Sequence, residues 1–105
     1  MNRLSSVAIY CSSSNKVRSS YMNAAEKLGA IFADNGIRLV YGDGGIGLMA
    51  AAAKGVLDAG GEVLGVIPQF MVDQGWNNPR STHTIITRDM HERKATIFRE
   101  SDAMV

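Results

Sequence analysis

Short apolar runs alternate with amphipathic stretches along this chain. Val7-Ala8-Ile9-Tyr10-Cys11 is an uninterrupted apolar run that stops at Ser12-Ser13-Ser14-Asn15, the pattern of a fully buried strand followed by a polar turn. From Ser20 to Asn35 the residues Tyr21, Ala25, Leu28, Ile31 and Phe32 recur at helical spacing, and Asn35-Gly36 supplies a left-handed stop. Ile37-Arg38-Leu39-Val40-Tyr41 predicts a second strand. It runs into Gly42-Asp43-Gly44-Gly45-Ile46-Gly47 and an alanine-rich helix that ends at Gly60-Gly61. Val63-Leu64-Gly65-Val66-Ile67 predicts a third buried strand, closed by Pro68 because proline cannot donate to the next ladder bond. Residues 69–82 read as a loop, with Asp73, Gly75, Asn77, Asn78 and Pro79 favouring irregular backbone, while Phe70, Met71, Val72 and Trp76 are apolar enough to cover something. Thr84-Ile85-Ile86-Thr87 predicts a brief strand. Asp89 is a good N-cap with Glu92 three residues on, a capping-box pattern that starts a helix through about Glu100. Asp102-Ala103-Met104-Val105 reads as the beginning of another buried strand.

Strands and helices alternating at this spacing predict right-handed βαβ crossovers and a doubly wound parallel sheet, so the fold class is α/β. An apolar strand at the end of the chain would leave a half-built sheet edge, and edges of that kind are usually blunted or covered. The expectation is therefore that residues 1–105 are the front portion of a longer protein, cut after the third main helix. No internal repeat or low-complexity linker divides them.

Composition narrows the function classes. With 105 residues, 46% of them hydrophobic and 20% charged, the chain has room for one globular domain at most. Its 11 Lys and Arg against 10 Asp and Glu are spread without a like-charged block, which argues against a nucleic-acid partner. One cysteine, Cys11, cannot form an internal disulfide, and with two histidines it falls short of a structural zinc site. No stretch approaches the roughly 18 apolar residues of a membrane span, and the N-terminus has no signal-type apolar region. A cytoplasmic location is expected.

Ligands of open parallel sheets bind outside the carboxyl ends of the strands, so the loops after Tyr10, Tyr41, Ile67 and Thr87 are the informative ones. Gly42, Gly44 and Gly47 match G-x-G-x-x-G at a strand-to-helix junction, where backbone N–H groups and the helix dipole favour an anion. The same glycines could simply make a tight turn. A dinucleotide site would need an acid near the carboxyl end of the next strand, but that strand ends Val66-Ile67-Pro68-Gln69 and its acid, Glu62, is at the other end. Asp43 would repel a phosphate unless it points away or pairs with a base. In Met90-His91-Glu92-Arg93-Lys94 two cations fall near a helix N-terminus, against the dipole, so they need a partner anion or a solvated face beside Glu92 and Glu100. His91-Glu92 lacks the second histidine of a zinc helix, and His83 lies in a different element. Cys11 reads as a small core residue, and the serines 12 to 14 as either turn caps or ligand-binding hydroxyls. Trp76 and its apolar neighbours could form a lid or a subunit contact.

In order and spacing, Tyr41-Gly42-Asp43-Gly44-Gly45-Ile46-Gly47-Leu48-Met49, Gly65-Val66-Ile67-Pro68 and Asp89-Met90-His91-Glu92-Arg93-Lys94 resemble the LONELY GUY family. The resemblance spans nearly the whole chain. It implies a Rossmann-like nucleotide-binding domain, of which residues 1–105 would be the N-terminal part. The family comprises cytokinin riboside 5'-monophosphate phosphoribohydrolases, many of whose bacterial members were long labelled lysine decarboxylases. It further implies hydrolysis of the N-glycosidic bond of AMP or a cytokinin ribotide to free base and ribose 5-phosphate, with no cofactor and no metal. The resemblance places the catalytic arginine at Arg93 and substrate-binding residues at Lys94 and His91. It lines the cleft with Gly42, Gly44, Gly45 and Gly47, and with Ser12 and Ser13 on the neighbouring loop. Homodimers are usual in the family.

Two departures qualify the match. Asp43 interrupts the family's glycine run, and the loop after the third strand has Gly75, with Asp73 nearby, where the family often carries an acid. The Pro-Gly-Gly-x-Gly-Thr-x-x-Glu motif, with the family's phosphate site and catalytic glutamate, would begin beyond Val105. The isolated chain is therefore expected to be inactive. The alternatives are a non-catalytic nucleotide-binding or partner-binding module on the same cleft, and a half-domain that completes its sheet by association.

Overall fold

The computed structural model describes residues 6–8, 19–43 and 47–104. Within them the chain runs β1 (Ser6–Ala8), α1 (Ser19–Asp34), β2 (Arg38–Tyr41), α2 (Gly47–Asp58), β3 (Val63–Pro68), α3 (Gln69–Asp73), β4 (His83–Thr87), α4 (Met90–Arg99) and β5 (Ala103–Met104). The expected continuation of β1 through Ile9, Tyr10 and Cys11 lies outside the described residues, as do the serines that follow.

All strand pairs are parallel, in the order β4-β3-β2-β1-β5. The winding moves outward from β1 to β4, then crosses back through α4 to set β5 on the other side of β1. This is the doubly wound arrangement expected, with the reversal of direction at β1. The Asp102 carboxylate accepts from the backbone N–H of Ser6 at 2.9 Å, and the Asp102 N–H donates to the Ser6 carbonyl at 2.8 Å, which fixes the start of β5 against β1.

Alternation along the strands explains why both faces need helices. Val7, Leu39, Tyr41 and Val63 pack with Phe32 of α1 and Ala52, Ala53 and Val56 of α2. Their neighbours Ala8, Val40, Leu64 and Val66 point the other way and pack with Ile97 of α4. With a period of two, a strand apolar at every position must be covered on both sides.

The two helices on the first face touch backbone to backbone. A Cβ on Gly29 would lie 2.7 Å from the Val56 nitrogen, and one on Gly55 would lie 2.7 Å from the Glu26 carbonyl carbon. Real Cβ atoms do not tolerate such distances, so the crossing is closed to any larger residue.

Helix ends follow the residue chemistry. Gly36 at φ +67 and Gly60 at φ +81 terminate α1 and α2 in the left-handed conformation. Asp89 caps α4, accepting from the Glu92 N–H at 2.8 Å, while Glu92 reaches back to the backbone N–H of Arg88 at 3.0 Å, one residue earlier than a standard capping box. The region expected to be entirely loop holds one short helix, α3. Pro68 is extended at its start, and Gly75 at φ +76 closes it through bonds to Val72 and, from Trp76, to Met71. Gln69 and Asp73 add a side-chain bond of 2.8 Å across one turn. Proline as a strand terminator also fits a helix start, and the glycine is its C-terminal signal.

Candidate active site

Arg93 is the fourth residue of α4, and its side chain leaves the helix to cross the carboxyl ends of β3 and β2. Its Nε donates to the Val66 carbonyl at 3.0 Å, and Nη2 donates to the Gly42 carbonyl. Nη1 faces two thioethers, Met90 at 3.6 Å and Met71 at 3.8 Å. Glu92 is engaged by Arg88 at 2.8 Å, and the charge of Arg93 bears on the Asp43 carboxylate. Carbonyl dipoles hold the guanidinium, and its planar fork suits two acceptors at different heights.

Glycine makes this possible at residue 42. A Cβ there would fall on the guanidinium, 2.8 Å from Cζ and 3.2 Å from Nε. The left-handed turn belongs instead to Asp43, the one non-glycine residue with positive φ among those described, at +63.

Asp43 is turned into the protein interior. Its side chain is fully buried, with its carboxyl group against the bare Cα of Gly65. The carboxylate accepts from the Ser81 hydroxyl and from the Asn78 backbone N–H at 3.3 Å. Burial raises its pKa, while the bonds from Ser81 and Asn78, and then the charge of Arg93, pull in the opposite direction. Next to it, the Tyr41 hydroxyl accepts from the Asn78 side-chain amide at 2.8 Å. Burial pushes this phenol above its usual range, and the Asp43 charge adds to the push. Asp43 is thus turned toward Ser81 and Asn78, with the charge of Arg93 bearing on it.

Lys94 and His91 have exposed side chains on α4. Gly47 is the first residue of α2. Gly44, Gly45, Ser12 and Ser13 lie outside the described residues. The residues not anticipated are Val66, Met71, Asn78 and Ser81. Val66 acts through its backbone, which carries no sequence signal, and Asn78 and Ser81 sit in a stretch whose polarity reads simply as loop.

Among the described residues no group of three or more His, Cys, Asp or Glu could hold a metal ion, and no helix is long and apolar enough to cross a membrane. A separate hollow at the opposite, amino-terminal ends of the strands is lined by Ser6, Arg38, Glu62 and His83. Arg38 there is committed to the Ser6 hydroxyl at 3.0 Å and the Glu100 carbonyl at 3.2 Å. It is the wrong end of the sheet for the ligands of such folds.

The profile of the SLOG cluster4 family matches residues 5–105, across both the glycine loop and the arginine helix. The chain belongs to the SLOG cluster4 family. It is 38% identical over 104 residues to the cytokinin riboside 5'-monophosphate phosphoribohydrolase LOG5 of Arabidopsis thaliana, covering 99% of this chain and 46% of that protein. It is 40% identical over 103 residues to the probable enzyme of the same name, LOGL1, of Oryza sativa subsp. japonica, covering 98% and 46%. The chain thus spans about half the length of the curated relatives it matches. Among solved structures, that of TM1055 superimposes with a TM-score of 0.80 at 27% identity, over 96% of this chain and 59% of that one. The molybdenum cofactor carrier protein of Chlamydomonas reinhardtii gives 0.81 at 22% identity, over 97% and 61%, which shows a shared fold. SLOG cluster4 membership and these superpositions agree with the Rossmann-like architecture described above.

Proposed function

We propose that the protein carrying this chain is a nucleoside 5'-monophosphate phosphoribohydrolase acting on AMP or a cytokinin ribotide. The observation that carries this reading is the Arg93 guanidinium held at the carboxyl ends of β2 and β3, in a chain 38% identical to a protein named for that reaction. Residues 1–105 are then the N-terminal part of a single nucleotide-binding domain.

The chemistry asks for a fixed cation. As the bond between ribose and base breaks, its electron pair leaves with the base, the ribose ring takes on positive oxocarbenium character, and water adds to the sugar carbon, losing one proton while the base gains one. A guanidinium fixed in advance can stabilise the departing negative charge or orient ribose and phosphate oxygens without reorganising during the reaction. In this reading Arg93 is catalytic, and Lys94 and His91 supply substrate contacts from the same helix. Gly42, Gly44, Gly45 and Gly47, with Ser12 and Ser13, line the cleft. A cytoplasmic homodimer completes the proposal; the exposed side chains of Ile86, Phe98 and Trp76 support a protein contact.

The test uses the protein in the length its reading frame encodes, incubated with AMP and with a cytokinin riboside 5'-monophosphate. Free base and ribose 5-phosphate are expected in equal amounts, and Arg93→Ala lowers turnover by about 100-fold or more. Tight nucleotide binding without product would favour the non-catalytic module, and full activity in Arg93→Ala would remove Arg93 from the mechanism.

A further inference from the structure

Asp43 is an expensive residue where it stands. It adopts a left-handed backbone that glycine would take without strain, and it buries a carboxylate completely. Neither feature is needed to make the turn. What the carboxylate does accomplish is a link between two segments far apart in sequence, through the Ser81 hydroxyl and the Asn78 N–H.

The consequence for the cleft runs through one peptide plane. The Gly42 carbonyl and the Asp43 nitrogen belong to the same rigid peptide unit, so anchoring the Asp43 side chain and setting its φ orients that carbonyl. The Gly42 carbonyl is the acceptor for Arg93 Nη2. The charged and titratable groups that bear on the carboxylate are Arg93 and Tyr41, and the Tyr41 hydroxyl is itself engaged by Asn78.

We infer that Asp43 is a positioning residue for Arg93: its buried carboxylate clamps residues 78–81 onto the end of β2 and thereby fixes the Gly42 carbonyl on which the guanidinium is docked. The catalytic meaning of that docking rests on the phosphoribohydrolase reading, whereas the docking itself does not. Asp43 touches no substrate in this scheme and acts through Arg93.

The experiment has two independent arms. In the first, the chain is labelled with nitrogen-15 arginine and the solvent exchange of the Arg93 Nη2–H groups, the donors to the Gly42 carbonyl, is measured without nucleotide, their signal assigned by its loss in Arg93→Lys. Asp43→Asn and Asp43→Gly both accept the left-handed backbone, so a purely conformational role predicts no change, with Gly neutral or stabilising. Positioning predicts that exchange quickens by about tenfold in both while core amides stay protected. Ser81→Ala, which removes one hydroxyl, gives a smaller rise of about threefold and serves if the Asp43 variants do not fold. Unchanged exchange in folded Asp43→Gly, or in Ser81→Ala if the Asp43 variants do not fold, overturns the inference. In the second arm, Asp43→Asn lowers AMP turnover about tenfold in the Arg93 protein and has no further effect in Arg93→Ala. Additive losses in that cycle would also overturn it. Absence of AMP turnover in the parent protein would sink the functional reading and leave the exchange arm to decide the positioning.

Discussion

The guanidinium of Arg93 occupies the space that a side chain on Gly42 would need, and it bonds that same residue's carbonyl. The glycine therefore serves a cation of its own chain before it serves any ligand. Gly42→Ala is expected to expel the guanidinium and cost about 1.5–3 kcal/mol, the range for a charge-assisted hydrogen bond. A double-mutant cycle checks this: in Arg93→Ala the space is vacated, so adding Gly42→Ala should change the urea midpoint little. Equal costs in both backgrounds would mean that the loop needs glycine for its own sake.

The crossing of α1 and α2 makes a second prediction, with a sign opposite to helix propensity. Exchanging glycine for alanine inside a helix ordinarily stabilises by roughly 0.5–1 kcal/mol. At Gly29 and Gly55 the new methyl would press on the backbone of the facing helix, at Val56 and Glu26 respectively. Each substitution is expected to destabilise by about 1–3 kcal/mol, the usual cost of overpacking. Thermal melts of Gly29→Ala and Gly55→Ala measure it, with the exposed Gly36→Ala as a control whose cost comes from its φ of +67 alone.

These two glycines also mark where sequence reading stops. The strands at Leu39 and Val63 and the helix caps at Gly36, Gly60 and Asp89 are local signals, because strand burial and capping depend on residues within a few positions. Gly29 and Gly55 sit in helical patterns as ordinary weak points, and only the packing of α1 on α2 reveals their purpose. α3 was hidden for a related reason: five residues give too little periodicity to separate a helical turn from loop. At the site, the cation pair was visible as a conflict with the helix dipole, and Asp43 as a conflict with a phosphate loop. Where the two side chains go depends on Val66 and Gly42 for Arg93 and on Asn78 and Ser81 for Asp43, partners that lie 27 to 51 residues away along the chain and contribute two backbone carbonyls, a backbone N–H and a hydroxyl.

The start of α4 governs where Arg93 begins its reach. Asp89 satisfies the Glu92 N–H, and Thr87 donates its hydroxyl to the Asp89 carbonyl at 3.1 Å. Asp89→Ala is expected to cost about 1 kcal/mol, with Asp89→Asn or Asp89→Ser recovering most of it, since either side-chain oxygen can accept the same bond. Urea denaturation of the three variants gives the ranking. Equal losses in all three would show that charge near the helix dipole, rather than the cap bond, is what Asp89 contributes.

Asp43 should leave a signature in the pH dependence of stability. Its pKa is raised in the folded chain, chiefly by burial, so between the ordinary aspartate range and the raised value the folded state binds more protons than the unfolded state. Stability from this group is then fully present below the unfolded pKa and is lost as pH rises through the folded one. Asp58 and Glu92 run the opposite way, because Arg80 and Lys54 lower the first and Arg88 the second, so their contributions are lost as pH falls. The two trends overlap in the raw curve, and subtracting Asp43→Asn isolates the first. The variant cannot ionise at residue 43 but retains Asp58 and Glu92. Measured by urea denaturation from about pH 4 to pH 7, the parent should lose stability relative to Asp43→Asn as pH rises. Tyr41, held above its usual range, titrates outside that window and does not contribute. A difference that stays flat with pH would mean that the Asp43 carboxylate folds with an unshifted pKa. A difference of opposite slope would mean that the Ser81 and Asn78 bonds, together with the Arg93 charge, outweigh its burial.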